Sequence, residues 1–464
     1  MMRGHRPMLS TLRQRVWGRV RLHPTIYRPL LRRAYPVSLG MLSFTLLSVV
    51  DTAMLGRLGA GPLAAAGISS TAYFAIVFSL AGIGIGVQTL VSRRFGECKP
   101  LQCGEVLGAG LLLTLVAGVP LVIVAPRLAH LISPVFSNDL AIVHMGETYL
   151  RYRFLGSLFF LVNWAYRGFY NGMGDTKKQL IYAVLITGAN IVLDYFLIFG
   201  HAGFPRMEIQ GAAIASSIAL GIGTVYLLAA SLRSHYRARY RLYRHLAGVI
   251  HVIGPILRLS TPVMAQRFLS ETSFFIFFMI ISRIGILELA ATNVMLSIYH
   301  LTFMPALGIA VAAATFVGQG LGANNPEQAE RYAWEGAKMA AYLMGGLGLL
   351  FIVIPHAVFS IYTSDPQVIA VGRLPLVLLG LTQAFGGVAI VLSNVLQGAG
   401  NTRFVMLAEL LVCGGIYLPA AYLIGLRFGG GIVGAWTGEY VYWIFLTLLV
   451  TWKFRKGTWK KIRI

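Results

Sequence analysis

Twelve apolar runs joined by short basic connections constrain this chain more than any other feature, because each is long enough to cross a hydrocarbon core of about 30 Å. They lie near residues 35 to 57, 67 to 91, 104 to 126, 148 to 169, 180 to 200, 209 to 232, 251 to 282, 290 to 317, 333 to 356, 368 to 396, 403 to 426 and 431 to 452. A backbone in lipid must satisfy its own hydrogen bonds, so runs of this length are helices and the expected fold class is an all-α membrane protein. Charged residues make up only 12% of the chain, half the roughly 25% usual in soluble domains, and the mean hydropathy is +0.71. A net charge of +23 would suggest nucleic acid if it formed one solvated face. Here the basic residues punctuate apolar runs, so they mark topology and exclude nucleic acid as the expected partner.

The basic residues crowd the termini and alternate connections: Arg93, Arg94 and Lys99, then Arg167, Lys177 and Lys178, then Arg233 to Arg244, then Arg331, Lys338 and Arg403, then Lys453 to Arg463. The other connections are sparse, with Arg151 and Arg153 counted at an outer span end, and no Arg or Lys is expected clearly at mid-depth. This asymmetry predicts a multi-pass protein of the plasma (inner) membrane with both termini in the cytoplasm. The segment from Met1 to Arg33 is rich in arginine and has no apolar stretch, which argues against a signal peptide. Cys98, Cys103 and Cys413 have no zinc or redox spacing, and no cofactor is expected.

The chain repeats itself in one constant register, the step that carries Gly59 onto Gly285. LGAGPLAAA near Gly59 faces IGILELAAT near Gly285, GIGIGVQTLVSRRFGECKP from Gly82 faces GIAVAAATFVGQGLGANNP from Gly308, and NGMGDTK from Asn171 faces QGAGNTR from Gln397. Each half holds six spans, so the copies insert the same way up, related by an axis along the membrane normal with a pathway between them. The expected division is a cytoplasmic basic segment (1–34), an amino-lobe bundle (35–232), a cytoplasmic linker (233–250), a carboxyl-lobe bundle (251–452) and a basic tail (453–464).

DTAMLGRLGAGPLAAAGIS after the first span, the GIGIGVQTLVSRRFGE block of the second, the YNGMGDTK connection and the six-plus-six repeat resemble the multidrug and toxic compound extrusion family over nearly the whole chain. The resemblance implies two pseudo-symmetric six-helix bundles splayed into a V. It also implies export of amphipathic, often cationic compounds driven by inward Na⁺ or H⁺ flow, with no catalysis. Asn190, Asp194 and Asp51 resemble the amino-lobe cation site of prokaryotic members, and Glu271 resembles the glutamate of the other lobe's site, although span 10 lacks the acid that would complete it.

The residues support the amino-lobe placement independently. Asn190 and Asp194 are four apart on one helical face, and an ionisable group inside a span costs roughly 2.5 kcal/mol or more, so it needs a partner or a water path. Asp51, Asp194 and Ser216 each lie about six residues, or roughly 9 Å, from the outer ends of spans 1, 5 and 6, and Asn163 lies deeper in span 4. Such oxygens suit Na⁺ at Asp51, Asn190 and Asp194, and two close carboxyl groups suit H⁺ equally. The structural alternative is a polar pair that locks helices together. For Glu271 it is a helix-packing hydrogen bond to Gln266, Thr272 or a neighbouring span. Tyr73, Phe74, Phe78, Met295, Tyr299 and Phe303 are candidate cavity residues, and Glu271, Gln266, Tyr73, Met295 and Tyr299 are the candidate substrate or proton site. The expected partners are small molecules and the bilayer, with the protein a monomer. The rival readings are a flippase of lipid-linked precursors, which would need a basic central groove, and a membrane enzyme, which would need clustered metal or acid-base ligands.

Overall fold

The computed structural model describes residues 22–136, 139–201, 203–243 and 246–464. Among these residues every regular element is a helix, and eleven helices are long and apolar enough to cross a membrane. The remaining span, the fourth, is broken at Gly156 into Leu140–Leu155 and Ser157–Met173. It carries Glu147, Arg151, Arg153 and Arg167, which lower its apolar content. The boundaries follow local chemistry. Asn325 and Asp365 accept hydrogen bonds from the Gln328 and Gln367 amides, each with a proline opening the helix behind it. Gly174 and Gly400, equivalent in the two repeats, take φ +86° and +92° where the fourth and tenth spans end.

Span 1 begins at Pro24, so the last residues of the expected basic segment are already helical. Residues 1–21 of that segment lie outside the described residues, as do 244 and 245 of the expected linker. The rest of the linker includes a short helix, Ser234–Tyr240, and span 7 starts at Leu246.

The sequence repeat is reproduced in three dimensions by reciprocal backbone contacts. A Cβ on Gly96 would stand 2.1 Å from the Gln319 carbonyl oxygen, and one on Gly322 would stand 2.1 Å from that of Arg93. Gly96 and Arg93 become Gly322 and Gln319 under the repeat register, so the two contacts are one contact seen twice. The same holds for Gly82 against the Met264 amide (3.0 Å) and Gly308 against the Ser38 amide (2.6 Å). Within the lobes it holds for Gly172 against the Gln88 carbonyl (2.9 Å) and Gly398 against that of Ala314 (2.8 Å). In a bilayer there is little hydrophobic gain from helix association, so close backbone approach through small residues supplies the packing energy.

The Gly96 and Gly322 contacts join the lobes near the linker end. Hydrogen bonds from Thr89 to the Gln397 carbonyl (3.3 Å), Gln88 to Thr315 (3.2 Å), Gln319 to the Gly172 carbonyl (2.8 Å) and Arg33 to Gln319 (2.9 Å) reinforce them. Leu30 and Ala34 of span 1 pack in the core of the carboxyl lobe, and Val249, Ile256 and Leu259 of span 7 pack in that of the amino lobe. The first span of each repeat therefore begins against the opposite bundle. Toward the other end the cores separate: one gathers Leu55, Ala65, Tyr149 and Ile198 of the amino lobe alone, another Phe277, Met295, Tyr417 and Trp436 of the carboxyl lobe alone. The result is two six-helix bundles splayed into a V.

Candidate functional site: an acid pair in the amino lobe and a basic inter-lobe cavity

Span 5 (Lys177–Phe199) packs on span 1 through Gly40, whose Cβ position lies 3.3 Å from Ala183, and through a Thr187 hydrogen bond to the Ser43 carbonyl (3.3 Å). This contact brings the Asp51 and Asp194 carboxyl groups within hydrogen-bonding reach of each other. Asn190 donates its amide to the second Asp194 oxygen at 2.5 Å. Asn190 and Asp194 are 2% and 1% exposed. One buried oxygen on each carboxyl group has no hydrogen-bond donor among the described residues. Two carboxylates held together out of water are costly while both are charged, so the chemistry of the pair suits a proton or a small cation.

Sequence reasoning missed the third charged member, Arg153. It lies near the end of the Leu140–Leu155 helix with its guanidinium 4.9 Å over the Tyr73 ring, close enough for its charge to act on both Asp51 and Asp194. Counting Arg153 as an outer topology marker hid a cation inside span 4. The cluster's formal charge is −1, two carboxylates against one guanidinium, which one monovalent cation balances. The described residues hold no cluster of three His, Cys, Asp or Glu side chains.

The other expected members are placed differently. Asn163 is fully buried, but its amide donates to the Leu220 carbonyl (3.0 Å) and its oxygen accepts from Thr224 (2.9 Å), so it fastens span 4 to span 6. Ser216 is buried on span 6 and makes no hydrogen bond to either carboxyl group. Tyr73 and Met295 are 0% exposed, inside the cores of their own lobes and not at the cavity surface. Tyr299 lies 5.5 Å from Phe303 and 6.3 Å from Trp443, with its hydroxyl buried and unpartnered among the described residues. Gln266 accepts from Gln397 (2.7 Å), while Glu271 makes no hydrogen bond to Gln266 or Thr272. The carboxyl lobe keeps a different acid: Glu409, 5% exposed, accepts from Ser270 (2.9 Å) and Tyr442 (2.8 Å). At the place equivalent to the acid pair, Phe277 packs on Tyr417 and Trp436, with ring centroids 5.4 and 5.6 Å away.

Between the lobes lies a cavity lined by Met41, Gln88, Trp164, Arg167, Arg267 and Asn394. This corrects the expectation that no basic residue lies at mid-depth. Arg267 is about halfway along span 7, and Arg167, counted from the sequence with the inner connections, is 5% exposed. Their guanidinium carbons lie 4.8 and 4.2 Å from the Trp164 ring. A positive residue inside an apolar run was the available signal.

The sequence profile of the MatE family matches residues 36–196 and 262–423, one block in each lobe. The probable multidrug resistance protein NorM of Thermotoga maritima is 27% identical over 440 residues, 94% of each chain. The multidrug resistance protein NorM of Burkholderia vietnamiensis is 30% identical over 437 residues, 92% of this chain and 93% of its own. A MATE transporter from Vibrio cholerae superposes with a TM-score of 0.84 at 19% identity, covering 94% of this chain and 98% of its own. With its two lobes, its internal repeat and a profile match in each half, this chain belongs to the MatE family of multidrug and toxic compound extrusion transporters.

Proposed function

We propose that the protein is a secondary active efflux transporter that exports amphipathic organic compounds by alternating access, coupled to inward flow of one H⁺ or Na⁺ through the Asp51/Asp194/Arg153 cluster. The observation that carries this reading is the pair of bare, buried carboxyl oxygens on Asp51 and Asp194. Loading with one cation neutralises the cluster and removes the penalty for holding it away from water. Unloading restores the penalty and favours a conformation that hydrates it. Arg153 sets the stoichiometry at one, since without it the pair would need two cations for neutrality. Asn190 orients Asp194. The multidrug resistance names of the relatives support the substrate class, and the protein acts as a monomer in the inner membrane with both termini in the cytoplasm.

A flippase of lipid-linked precursors is the second reading, favoured by Arg167 and Arg267 at the cavity. The test is the initial rate of substrate efflux from reconstituted vesicles under separately imposed Na⁺ and H⁺ gradients, normalised to protein. Asp51→Asn and Asp194→Asn should each abolish gradient-driven efflux while leaving the protein folded, and the double variant should match either single one, because members of one site act as a unit. Near-parental coupling in either single variant would refute the assignment.

A further inference from the structure

We propose that the inter-lobe cavity is an anion site, and that the substrate this protein exports carries a carboxylate, sulfonate or phosphate on an apolar or aromatic body. The proposal rests on the transporter reading and reverses the expected cationic preference. Its foundation is the balance of charge and hydrogen bonding at the cavity wall. Among the described residues, Arg167 is 5% exposed, makes no hydrogen bond, stands in no ion pair, and keeps a buried, unpartnered Nε. Arg267 donates once, to the Phe78 carbonyl at 3.3 Å, and is likewise in no ion pair there. A guanidinium carries five donors, so nearly all of this donor capacity is unspent. The buried Trp164 indole nitrogen beside them is unpartnered too.

The remaining polar groups do not offset the charge. Gln88 spends its amide on Val311 and Thr315, and Asn394 on the Ile390 carbonyl. The bare acceptor at the wall, Asn171 Oδ1, is neutral. Glu271, one helical turn beyond Arg267, is near enough for its charge to act on Arg267 but forms no ion pair with it, so two cations face one anion and a net positive charge remains. Helix packing does not require the arginines: their repeat equivalents are Met41 for Arg267 and Ser393 for Arg167, and Met41 lines the same cavity.

A buried cation without an anion is costly to hold, and a planar guanidinium fork suits a two- or three-oxygen anion. The rings of Trp164 and Phe78 hold the guanidinium groups in place and offer a surface for an aromatic body, with Met41, Leu307 and Val311 completing an apolar wall. The ligand is therefore an amphipathic anion, drawn from the soluble phase or from an anionic lipid headgroup.

The test uses the purified full chain in neutral detergent, with no gradient, so that it stands apart from coupling. Binding of naphthalene-1-sulfonate is compared with that of its trimethylammonium counterpart on the same ring, and with short-chain phosphatidylglycerol against short-chain phosphatidylcholine, each followed as thermal stabilisation across a concentration series. The anion of at least one pair should bind on the order of tenfold tighter than its partner. Arg267→Gln and Arg167→Gln should remove that preference, and Arg267→Lys should retain part of it. Preference for the sulfonate alone assigns a soluble substrate, and preference for phosphatidylglycerol alone assigns a lipid headgroup. Either supports the anion site. Equal or tighter binding of the trimethylammonium compound with no preference between the lipids, or a preference unchanged in variants that stay monodisperse, overturns it. Anion preference in detergent without gradient-driven efflux in vesicles would instead sink the transporter reading alone.

Discussion

The reciprocal glycine contacts define a perturbation with a calculable direction. Gly96→Ala places a methyl group 2.1 Å from the Gln319 carbonyl oxygen, and Gly322→Ala places one 2.1 Å from that of Arg93, whereas real Cβ contacts essentially never fall under 3.0 Å. The obstructing atoms are backbone, so rotamer changes give no relief and the helices of the two lobes must separate locally by about 0.9 Å. Overpacking of this kind costs about 1–3 kcal/mol. Because the contact exists only while the lobes are closed at the linker end, the cost falls on that conformation and not on one in which they part there. A bias of that size shifts the ratio of the two states by about 5- to 150-fold. Ser92 is 1% exposed and packs against Gly318 of the other lobe, so it reports on the closure. With the exposed Cys98 replaced by serine, labelling of Ser92→Cys by a membrane-impermeant maleimide applied from the linker side should accelerate by that factor in either glycine variant. Gly254→Ala is the control, since nothing lies within 4 Å of a Cβ there. Labelling at the parental rate in both variants, with the protein still folded, would refute the claim that this contact closes the linker end.

Three further outcomes follow from the same geometry. Glu271→Gln should reduce gradient-driven export less than Asp194→Asn at equal membrane abundance, because Glu271 has no second carboxylate beside it; equal abolition would place coupling in both lobes. Asn163→Ala should lower the melting temperature, losing about 0.6–1.7 kcal/mol for each interhelical hydrogen bond, while export remains coupled to the gradient; loss of coupling in folded protein would return Asn163 to the cation site. A reporter fused after Ile464 should be cytoplasmic by enzymatic read-out in whole cells, and an external location would break the even span count.

Much of the site was readable where a polar residue interrupts an apolar run. Asn190 and Asp194 share a helical face whatever the tertiary arrangement, and the depth count from the span ends was enough to bring Asp51 opposite them. Arginines in runs were harder, because Arg and Lys near a span end serve equally as topology markers or interior charges, and only packing distinguishes the two. Arg153 and Arg167 were read as topology markers for that reason, and only the structure placed them against the Tyr73 and Trp164 rings. Asn163 failed differently: its burial was evident from its position in span 4, but the acceptor that claims its amide, the Leu220 carbonyl, belongs to another helix.

The sequence by itself determined that the chain is a helical membrane protein and that it is a twofold repeat, because apolar runs of this length leave a backbone in a bilayer no alternative to helix and a constant register between the halves is a property of the string; the span ends, such as Pro24 and Leu246, came from the structure. Tertiary structure alone decided which lobe each half-span joins. Leu30 and Ala34 complete the carboxyl-lobe core while Ile256 and Leu259 complete the amino-lobe core, and no local pattern encodes such an exchange. It also decided the sign of the cavity, since a guanidinium is read as a ligand group or a topology marker only once its neighbours are known. Arg153 finds two carboxylates nearby, and Arg167 finds a tryptophan and an unfilled space. Charge in a low-dielectric interior takes its meaning from what stands within a few ångströms of it, and those distances come from folding.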